Sequence, residues 1–183
     1  MKAEWAAIYG KYLQGEKLNI GCANNHEPGF INLDANPDTK PDVVHDLECP
    51  PLPFRDAQFD CVLGSHIFEH VSGFIPLMED LHRIIKPGGF LIAVTPYGSC
   101  DGAWDNPHHV RGFGENTWYY FDQDLYRGDN AGNGATEGYK GNFKVEQLIL
   151  VPLPEFANDP EIEFKKRHWR NVIQEVHAVL RRA

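Results

Sequence analysis

The segment of residues 81–97, LHRIIKPGGFLIAVTPY, constrains the fold more than any other part of the chain. Its apolar residues first recur at helical spacing and then form a continuous run, and the turn Lys86-Pro87-Gly88-Gly89 separates the two patterns. Proline and glycine end helices, and a short apolar run bounded by turn residues is typical of a strand. The segment therefore predicts a helix, a tight turn and a strand at residues 89–95.

Further strand-like runs lie upstream of this segment. We predict strands at about 17–22, 31–34, 41–47 and 58–65, and a helix at 72–86 that precedes the strand at 89–95. Strands that alternate with helices are typical of a Rossmann-like, doubly wound, mostly parallel α/β sheet. A chain of 183 residues is long enough to bury one core, so we expect a single domain over residues 1–183.

The two ends of the chain and one long insertion carry other patterns. Apolar and aromatic residues recur at helical spacing within residues 1–16, which predicts a short N-terminal helix. Residues 98–141 are rich in glycine, asparagine and aromatic residues, and we expect an irregular lid there, after the strand that follows the Lys-Pro-Gly-Gly turn. Residues 143–151 predict a late strand, and an apolar stripe predicts a C-terminal helix at 159–182.

The first two predicted strands are joined by very few residues. The connector, Asn24-Asn25-His26-Glu27-Pro28-Gly29, is polar and contains a Pro-Gly turn signal. Parallel neighbours normally need a connection of about a dozen residues, usually with a helix. Two alternatives stay open: the connector is a minimal loop, or one of the two strands is wrongly placed.

Composition restricts the partners of the chain. It has 17 Lys and Arg against 26 Asp and Glu, a formal net charge of −9, so its field opposes polyanions and disfavours nucleic acid. The four cysteines show no paired metal-ligand spacing, and no apolar run approaches the roughly 20 residues of a membrane span. We expect a cytoplasmic protein with free thiols and no membrane span, and the sequence leaves monomer and homodimer open.

Residues suited to ligand binding follow the first two predicted strands. Gly21, Cys22 and Ala23 end the first strand, and Asp34 ends the second. Ligands of open parallel sheets bind at the carboxyl ends of the strands, so these residues are candidates for one crevice. The Asp34 carboxylate can accept hydrogen bonds from both hydroxyls of a ribose. Dinucleotide-binding enzymes need a glycine-rich turn that opens a helix and an acid about 20 residues further on, and neither is available here.

Together with the Lys-Pro-Gly-Gly turn and the strand-loop Phe59-Asp60-Cys61-Val62-Leu63-Gly64-Ser65-His66, these segments resemble a class I S-adenosylmethionine-dependent methyltransferase over residues 17–97. The resemblance implies S-adenosylmethionine as cofactor and S-adenosylhomocysteine as product. It implies that Asp46 binds the adenine amino group and that Leu47 lines the adenine ring. The implied cofactor site consists of residues that end or follow four strands: Gly21, Cys22, Ala23, Asp34, Ala35, Asp46, Leu47, Ser65 and His66. Ala23 stands where the family usually has the second glycine of a Gly-x-Gly turn.

His66 has more than one interpretation. The resemblance places it beside the methionine part of the cofactor, where it could also serve as a general base near the acceptor. A structural histidine in the loop is the alternative. His66-Ile67-Phe68-Glu69-His70 also matches the zinc signature His-x-x-Glu-His, which must lie on a helix. Because His66 ends a predicted strand, we treat this match as fortuitous and expect no metal.

An unusual polar segment, Trp104-Asp105-Asn106-Pro107-His108-His109-Val110-Arg111-Gly112-Phe113, follows the last predicted parallel strand. Some bacterial methyltransferases that this chain resembles carry a comparable Asn-Pro-x-His-x-Arg segment. The resemblance places it over the crevice above Tyr97, with His108, His109 and Arg111 toward an oxygenated or anionic acceptor. The candidate catalytic residues are His66, Tyr97, His109 and Arg111. The alternative is a loop that a histidine and arginine network holds in place.

The sequence thus predicts an S-adenosylmethionine-dependent methyltransferase that acts on an unidentified acceptor, either a small molecule or a glycan. A non-catalytic methyltransferase-like domain that binds a ligand or a partner is the alternative, and Ala23 and the short connector support it. A nicotinamide-dependent dehydrogenase is disfavoured by the spacing between Gly21 and Asp34.

Overall fold

A seven-stranded sheet organises the protein. A computed structural model describes residues 7–125 and 139–183. The strands are β1 (Lys17–Ile20), β2 (Ile31–Asp34), β3 (Val43–Val44), β4 (Phe59–Ser65), β5 (Ile85–Pro96), β6 (Phe143–Pro152) and β7 (Ile173–Arg182). Their order in the sheet is β3-β2-β1-β4-β5-β7-β6. The first five strands of this order are parallel, whereas β7 is antiparallel to both β5 and β6. The predicted Rossmann-like, mostly parallel sheet is confirmed.

Helices are short relative to the sheet. Helix α1 (Phe74–Ile84) connects β4 to β5, α2 (Glu115–Tyr119) follows β5, and α3 (Ile162–His168) precedes β7. The apolar face of α1 is buried in the core, as its periodicity predicts. No helix within the described ranges has the length and apolar character needed to cross a bilayer.

Strand β5 begins earlier than the sequence predicts. Ile85 follows α1 directly and pairs with Phe59 on β4, before the turn at Pro87 and Gly88. The pairing register then shifts between Phe59 and Cys61, so the turn forms an irregularity within the strand. Gly88 has a φ of +80°, a backbone angle that glycine adopts at no steric cost.

The connector between β1 and β2 is a minimal loop without a helix. The buried side chains of Asn19 on β1 and Asn32 on β2 hold it. Asn19 Nδ2 donates to the carbonyl oxygen of Asn25 and to Asn32 Oδ1, both at 3.0 Å. The backbone N–H of Glu27 donates to the same Oδ1 at 2.9 Å. These hydrogen bonds fix the loop in place of a crossover helix. The minimal-loop alternative is therefore confirmed, and β2 has its predicted bounds, whereas β1 ends at Ile20, before the predicted residue 22.

The described residues form two hydrophobic core clusters on opposite faces of the sheet. Successive residues of a strand point to opposite faces, and Val62 on β4 belongs to the larger cluster while Cys61 and Leu63 belong to the smaller one. Tyr9 and Tyr12 complete the smaller cluster from the N-terminal segment. Residues 7–9 of that segment are helical, and residues 1–6 of the predicted N-terminal helix lie outside the described residues.

The predicted C-terminal helix is wrong for most of its length. Only Ile162–His168 is helical, and Ile173–Arg182 forms β7. This strand lies between β5 and β6, and five consecutive residues, from Val176 to Leu180, are buried. A strand that is covered on both faces shows no period-two alternation. Its apolar residues therefore matched a helical spacing by coincidence, whereas β6 confirms the predicted late strand.

The described residues of the predicted lid, 98–125 and 139–141, include regular structure and buried side chains. Its described part contains α2 and a short 3-10 turn at Asp101–Ala103. Buried aromatic rings of this part, Phe113, Trp118 and Phe121, pack on Phe74 of α1 at centroid distances of 5.3, 6.2 and 5.4 Å. Residues 126–138 of the predicted lid lie outside the described residues. The part of the predicted lid that carries these three rings is therefore packed into the hydrophobic core.

Candidate functional site

Two adjoining clefts open where the parallel strands end. The larger, which we call the main cleft, has a volume of about 650 Å³, and the smaller, the side cleft, has about 430 Å³. Residues of the connector after β1 form much of the main cleft. His66, which follows β4, and Gln174 and Glu175 on β7 line both clefts. We call these three residues the shared wall.

The turn after β1 adopts unusual backbone angles. Gly21 has a φ of +62° and Ala23 a φ of +44°, both in the left-handed region. A Cβ atom at Gly21 would lie 2.4 Å from Cγ1 of Ile67, so only glycine fits there. Ala23 carries a side chain in the left-handed region, which costs about 1–2 kcal/mol relative to the right-handed one. The turn is therefore strained at the residue where the resembled family usually has glycine.

Asp34 closes this turn from the end of β2. Its Oδ2 accepts a hydrogen bond from the backbone N–H of Ala23, and its Oδ1 accepts one from Asn36, both at 2.8 Å. A carboxylate has about four lone-pair sites, so each oxygen can accept another donor. Asp34 is half-buried and does not line the main cleft. Its hydrogen-bond partner Ala23, however, directly follows Cys22, and Cys22 lines that cleft.

The other predicted cofactor residues are divided between the cleft and the neighbouring strand ends. Asp46 is exposed, and its Oδ1 accepts a hydrogen bond from the backbone N–H of Glu48 at 2.9 Å. Leu47 is buried in the core. The structure brings Gly21, Cys22, Ser65 and His66 into the main cleft and leaves Ala23, Asp34, Ala35, Asp46 and Leu47 outside its lining.

His66 lies between two carboxylates. Its Nε2 is 3.2 Å from Oε1 of Glu175, and its Nδ1 is 3.5 Å from Oε1 of Glu69. Glu175 and, to a lesser extent, Glu69 raise the pKa of His66 to about 9, because both carboxylates stabilise the imidazolium. With that pKa, His66 is cationic at neutral pH in the free protein. A cationic imidazole has no lone pair with which to act as a general base.

A chain of polar contacts continues behind His66. Oε2 of Glu175 lies 2.8 Å from Nε2 of His177, and Nδ1 of His177 contacts the hydroxyl of Tyr9. The two imidazoles, His177 first, lower the pKa of Glu175 to about 2, because both favour the carboxylate. Burial raises the pKa of Tyr9. These contacts connect the N-terminal segment, β7 and the loop after β4.

The side cleft contains a second group of polar side chains. His109 lies on the loop after β5, as the sequence analysis predicts, and Glu69 and His70 come from the short 3-10 turn Phe68–His70. The rings of His70 and His109 meet edge to face at a centroid distance of 4.6 Å. Nδ1 of His109 lies 3.0 Å from the carbonyl oxygen of Ala103. The loop therefore brings His109 into the side cleft, which the shared wall also lines.

Three other residues that were predicted to face the acceptor lie outside the lining of both clefts. The hydroxyl of Tyr97 donates to Glu115 at 3.4 Å, and His108 is exposed. The guanidinium of Arg111 donates to the carbonyl oxygens of Val71 and Ser72 at 2.9 and 2.8 Å. In these positions, Tyr97 and Arg111 hold the loop after β5 against neighbouring segments.

The sequence analysis did not identify Gln174, Glu175 and His177. The segment that contains them was predicted to be helical, so these residues were not expected at a strand end. The β-branched residues Val172, Ile173, Val176 and Val179 are the signal that could have indicated a strand.

The residues around the main cleft fit S-adenosylmethionine. Its volume falls within the roughly 300–1,000 Å³ of small-molecule sites. The left-handed turn at Gly21 presents backbone to the cleft, and Asp34 has unused acceptor capacity beside that turn. The low pKa of Glu175, about 2, keeps a negative charge on the cleft wall, which suits a ligand with a cationic sulfonium and an ammonium group.

Comparisons with known proteins point the same way. The family model of the methyltransferase domain matches residues 18–93, from β1 into β5. A sterol 4-C-methyltransferase of Caenorhabditis elegans is 24% identical over 105 residues, which are 57% of this chain and 30% of that protein. This chain therefore spans under a third of the length of that relative.

Solved structures share the fold over nearly the whole chain. An S-adenosylmethionine-dependent methyltransferase from Archaeoglobus fulgidus superposes with a TM-score of 0.67 at 16% identity, covering 98% of this chain and 92% of that one. One from Mesorhizobium loti has a TM-score of 0.61 at 17% identity, covering 98% of each chain. The [4+2]-cyclase SpnF has a TM-score of 0.63 at 11% identity, covering 98% of this chain and 80% of that one.

Proposed function

This chain carries a class I S-adenosylmethionine-dependent methyltransferase domain, and on that premise we propose that it methylates a small polar molecule bound in the side cleft. The observation that carries this proposal is the shared wall. His66, Gln174 and Glu175 line both clefts. A cofactor in the main cleft and an acceptor in the side cleft would meet at these three residues.

We assign the cofactor to the main cleft and the strand ends beside it. When bound, S-adenosylmethionine supplies an electrophilic methyl group on a sulfonium. The Gly21 backbone would allow close approach of the ligand, and Ser65 would flank its methionine part. Asp34 would accept hydrogen bonds from the ribose hydroxyls, and Asp46 and Leu47 would hold the adenine from the end of β3.

On this proposal, the protein promotes methyl transfer mainly by aligning the acceptor with the cofactor and by placing a charge beside the cofactor, and less by a dedicated acid or base. The shared wall suits alignment because contacts from β7 and from the loop after β4 hold Glu175 in place. Glu175 is held by His66 at 3.2 Å and by His177 at 2.8 Å. Its negative charge persists over the neutral pH range and would favour a cationic cofactor in the main cleft.

The side cleft indicates a small, polar acceptor. Its volume of about 430 Å³ suits a small molecule or one sugar unit of a glycan. His70, Asn106 and His109 line it beside Glu69, so it offers hydrogen-bonding groups to an oxygenated ligand. The sterol in the name of the Caenorhabditis elegans relative is a largely apolar molecule, and this polar lining favours a different acceptor.

Calorimetric titration with S-adenosylmethionine and S-adenosylhomocysteine tests the cofactor assignment. We expect both to bind, and Asp34→Asn to weaken binding by about 10- to 100-fold, because a hydrogen bond to a charged group contributes about 1.5–3 kcal/mol. Asp38→Asn is the matched control, since Asp38 is an exposed carboxylate in the same segment. Failure of the unaltered protein to bind either molecule would overturn the proposal.

The alternative, a domain that binds its ligand without transfer, needs a second measurement. A screen with isotope-labelled methyl donor and hydroxylated small molecules should yield a labelled product. Tight cofactor binding without any labelled product across the screen would favour the non-catalytic alternative.

A further inference from the structure

The side cleft contains a cluster whose chemistry goes beyond the proposed function. Glu69, His70 and His109 each present one potential metal-ligand atom, and these atoms lie within 4.8 Å of one another. No other group of three or more His, Cys, Asp or Glu side chains in residues 7–125 and 139–183 is arranged in this way. The cluster is therefore a specific feature of the acceptor side of the site.

Glu69 is the most informative member of the cluster. It is only 1% exposed, and neither of its carboxylate oxygens accepts a hydrogen bond from any described residue. Its Oε1 forms an ion pair with Nδ1 of His66, 3.5 Å away, without the geometry of a hydrogen bond. A buried carboxylate without hydrogen bonds is strongly unfavourable, so native structures pair such groups or use them as metal ligands. His66 forms an ion pair with Oε1, and Oε2 is left as a buried acceptor without a hydrogen bond, which a metal cation could use.

One ring nitrogen of His109 contacts a backbone carbonyl, as in most metal-bound histidines. Its Nδ1 lies 3.0 Å from the carbonyl oxygen of Ala103, which can only accept, so Nδ1 carries the proton. Nε2 is then the ring nitrogen that can offer a lone pair to a metal. Metal-ligating histidines almost always donate their other ring N–H to a carbonyl, a carboxylate or water in this manner.

From these observations we infer that Glu69, His70 and His109 bind a divalent transition-metal cation in the side cleft. Two imidazoles and one carboxylate form the donor set of many catalytic zinc sites and of non-haem iron(II) sites, which keep open positions for water or substrate. Imidazole ligands favour such metals over Mg²⁺ and Ca²⁺, which prefer oxygen ligands.

The site differs from the zinc signature that the sequence contains. Glu69 and His70 lie in a 3-10 turn rather than on an α-helix, and the third ligand, His109, comes from the loop after β5. His66, the first histidine of the signature, instead pairs with Glu175 at 3.2 Å. The sequence expectation of no metal was based on the missing helix, and the loop supplies a ligand that local spacing could not reveal.

The metal site also indicates which chemical group the acceptor offers. This inference about the acceptor rests on the proposed function. A cation held by these three ligands would expose its open positions to the side cleft, which Glu69, His70 and His109 line. Metal ligation lowers the pKa of a bound oxygen acid, and bound water is the known example. We therefore expect the acceptor to present a hydroxyl oxygen to the metal.

Metal titration of the full chain after chelator treatment tests the site, with Co²⁺ as a spectroscopic probe and Zn²⁺ as competitor. We expect one equivalent of Co²⁺ to produce visible absorption bands that Zn²⁺ abolishes. Glu69→Gln and His109→Gln should each weaken the affinity by about tenfold or more, because each removes one of three ligands. The control His168→Gln alters an exposed histidine that lines neither cleft and should leave the affinity unchanged.

Folding of the variants is checked by circular dichroism, and Zn²⁺ should raise the melting temperature of the unaltered protein but not that of Glu69→Gln. Absence of saturable binding, or equal affinity in the unaltered protein and both variants, would overturn the site. Cofactor titration of the metal-free protein is a separate readout, because Glu69 and His109 do not line the main cleft. Cofactor binding without metal binding would leave the proposed function intact and remove the metal site.

Discussion

The Nε2 atom of His66 lies 3.2 Å from Oε1 of Glu175, although 109 residues separate the two in the sequence. This contact joins the loop after β4 to β7 at the wall that both clefts share. The other carboxylate oxygen of Glu175 lies 2.8 Å from His177. One carboxylate therefore fixes two imidazoles on different elements, and the geometry of the shared wall depends on it.

We expect Glu175→Gln to lower the free energy of unfolding by about 1–2 kcal/mol at pH 7. A hydrogen bond to a charged group contributes about 1.5–3 kcal/mol, and partial exposure of Glu175 reduces this value. The variant should also bind S-adenosylmethionine more weakly, because the cleft wall loses its negative charge. Urea unfolding and calorimetry measure the two effects.

The matched control for this variant is Glu155→Gln, since Glu155 is an exposed glutamate that lines neither cleft. It should change stability by less than about 0.5 kcal/mol. Equal unfolding midpoints for the two variants would show that the contacts of Glu175 with His66 and His177 do not stabilise the fold.

Ala23→Gly is expected to stabilise the protein slightly and to leave cofactor binding intact or stronger. Ala23 has a φ of +44°, and glycine adopts such angles without the penalty of about 1–2 kcal/mol. The greater freedom of glycine in the unfolded chain offsets about 0.5–1 kcal/mol of this gain. Thermal and urea unfolding measure the result.

Ala157→Gly serves as the comparison for that substitution. Ala157 has a φ of −56°, so glycine there brings no relief of strain and should destabilise the protein. If Ala23→Gly lowers the free energy of unfolding as much as Ala157→Gly does, the backbone conformation at residue 23 does not destabilise the protein.

Most of the fold was predictable because its signals are local. The helix that ends before the Lys-Pro-Gly-Gly turn and the strand at Phe59–Ser65 follow from apolar spacing and turn residues over short stretches. Strand β7 was not predictable in this way. Its stability comes from burial on both faces between β5 and β6, and that environment is set by residues far away in the sequence.

The candidate site shows the same division between local and distant information. Gly21, Ser65 and His66 could be identified because they end strands, where ligands of parallel sheets bind. Glu175 could not, because its partner His66 is 109 residues away and its own strand was predicted as a helix. Glu69 was seen only as part of a linear signature, since its neighbour His109 comes from another loop.

Asn32→Ala is expected to destabilise the protein by about 2–3 kcal/mol. The side chain is 6% exposed and accepts hydrogen bonds from Asn19 Nδ2 and from the backbone N–H of Glu27. Its loss removes a hydrogen-bond acceptor from the buried Asn19 side chain, and an unsatisfied buried donor costs about 1–3 kcal/mol. Urea unfolding should show the loss, whereas Asn158→Ala, at an exposed asparagine, should not. A loss below about 0.5 kcal/mol would mean that the asparagine pair does not hold the connector.

Acid sensitivity of the fold is expected to depend on His82, which packs edge to face on Phe143 at a centroid distance of 5.3 Å. Burial and, to a lesser extent, the charge of Arg182 lower the pKa of His82 to about 4, because both disfavour the imidazolium. The unfolded chain takes up this proton near pH 6.5, so between about pH 6.5 and 4 it binds a proton that the folded protein does not. The stabilisation from neutral His82 is therefore complete above pH 6.5 and decreases as the pH falls toward 4. In urea unfolding from pH 8 to 4.5, His82→Leu should lose less stability on acidification than the unaltered protein. Carboxylates titrate in both proteins, so the difference between the two curves isolates His82, and parallel curves would contradict this assignment.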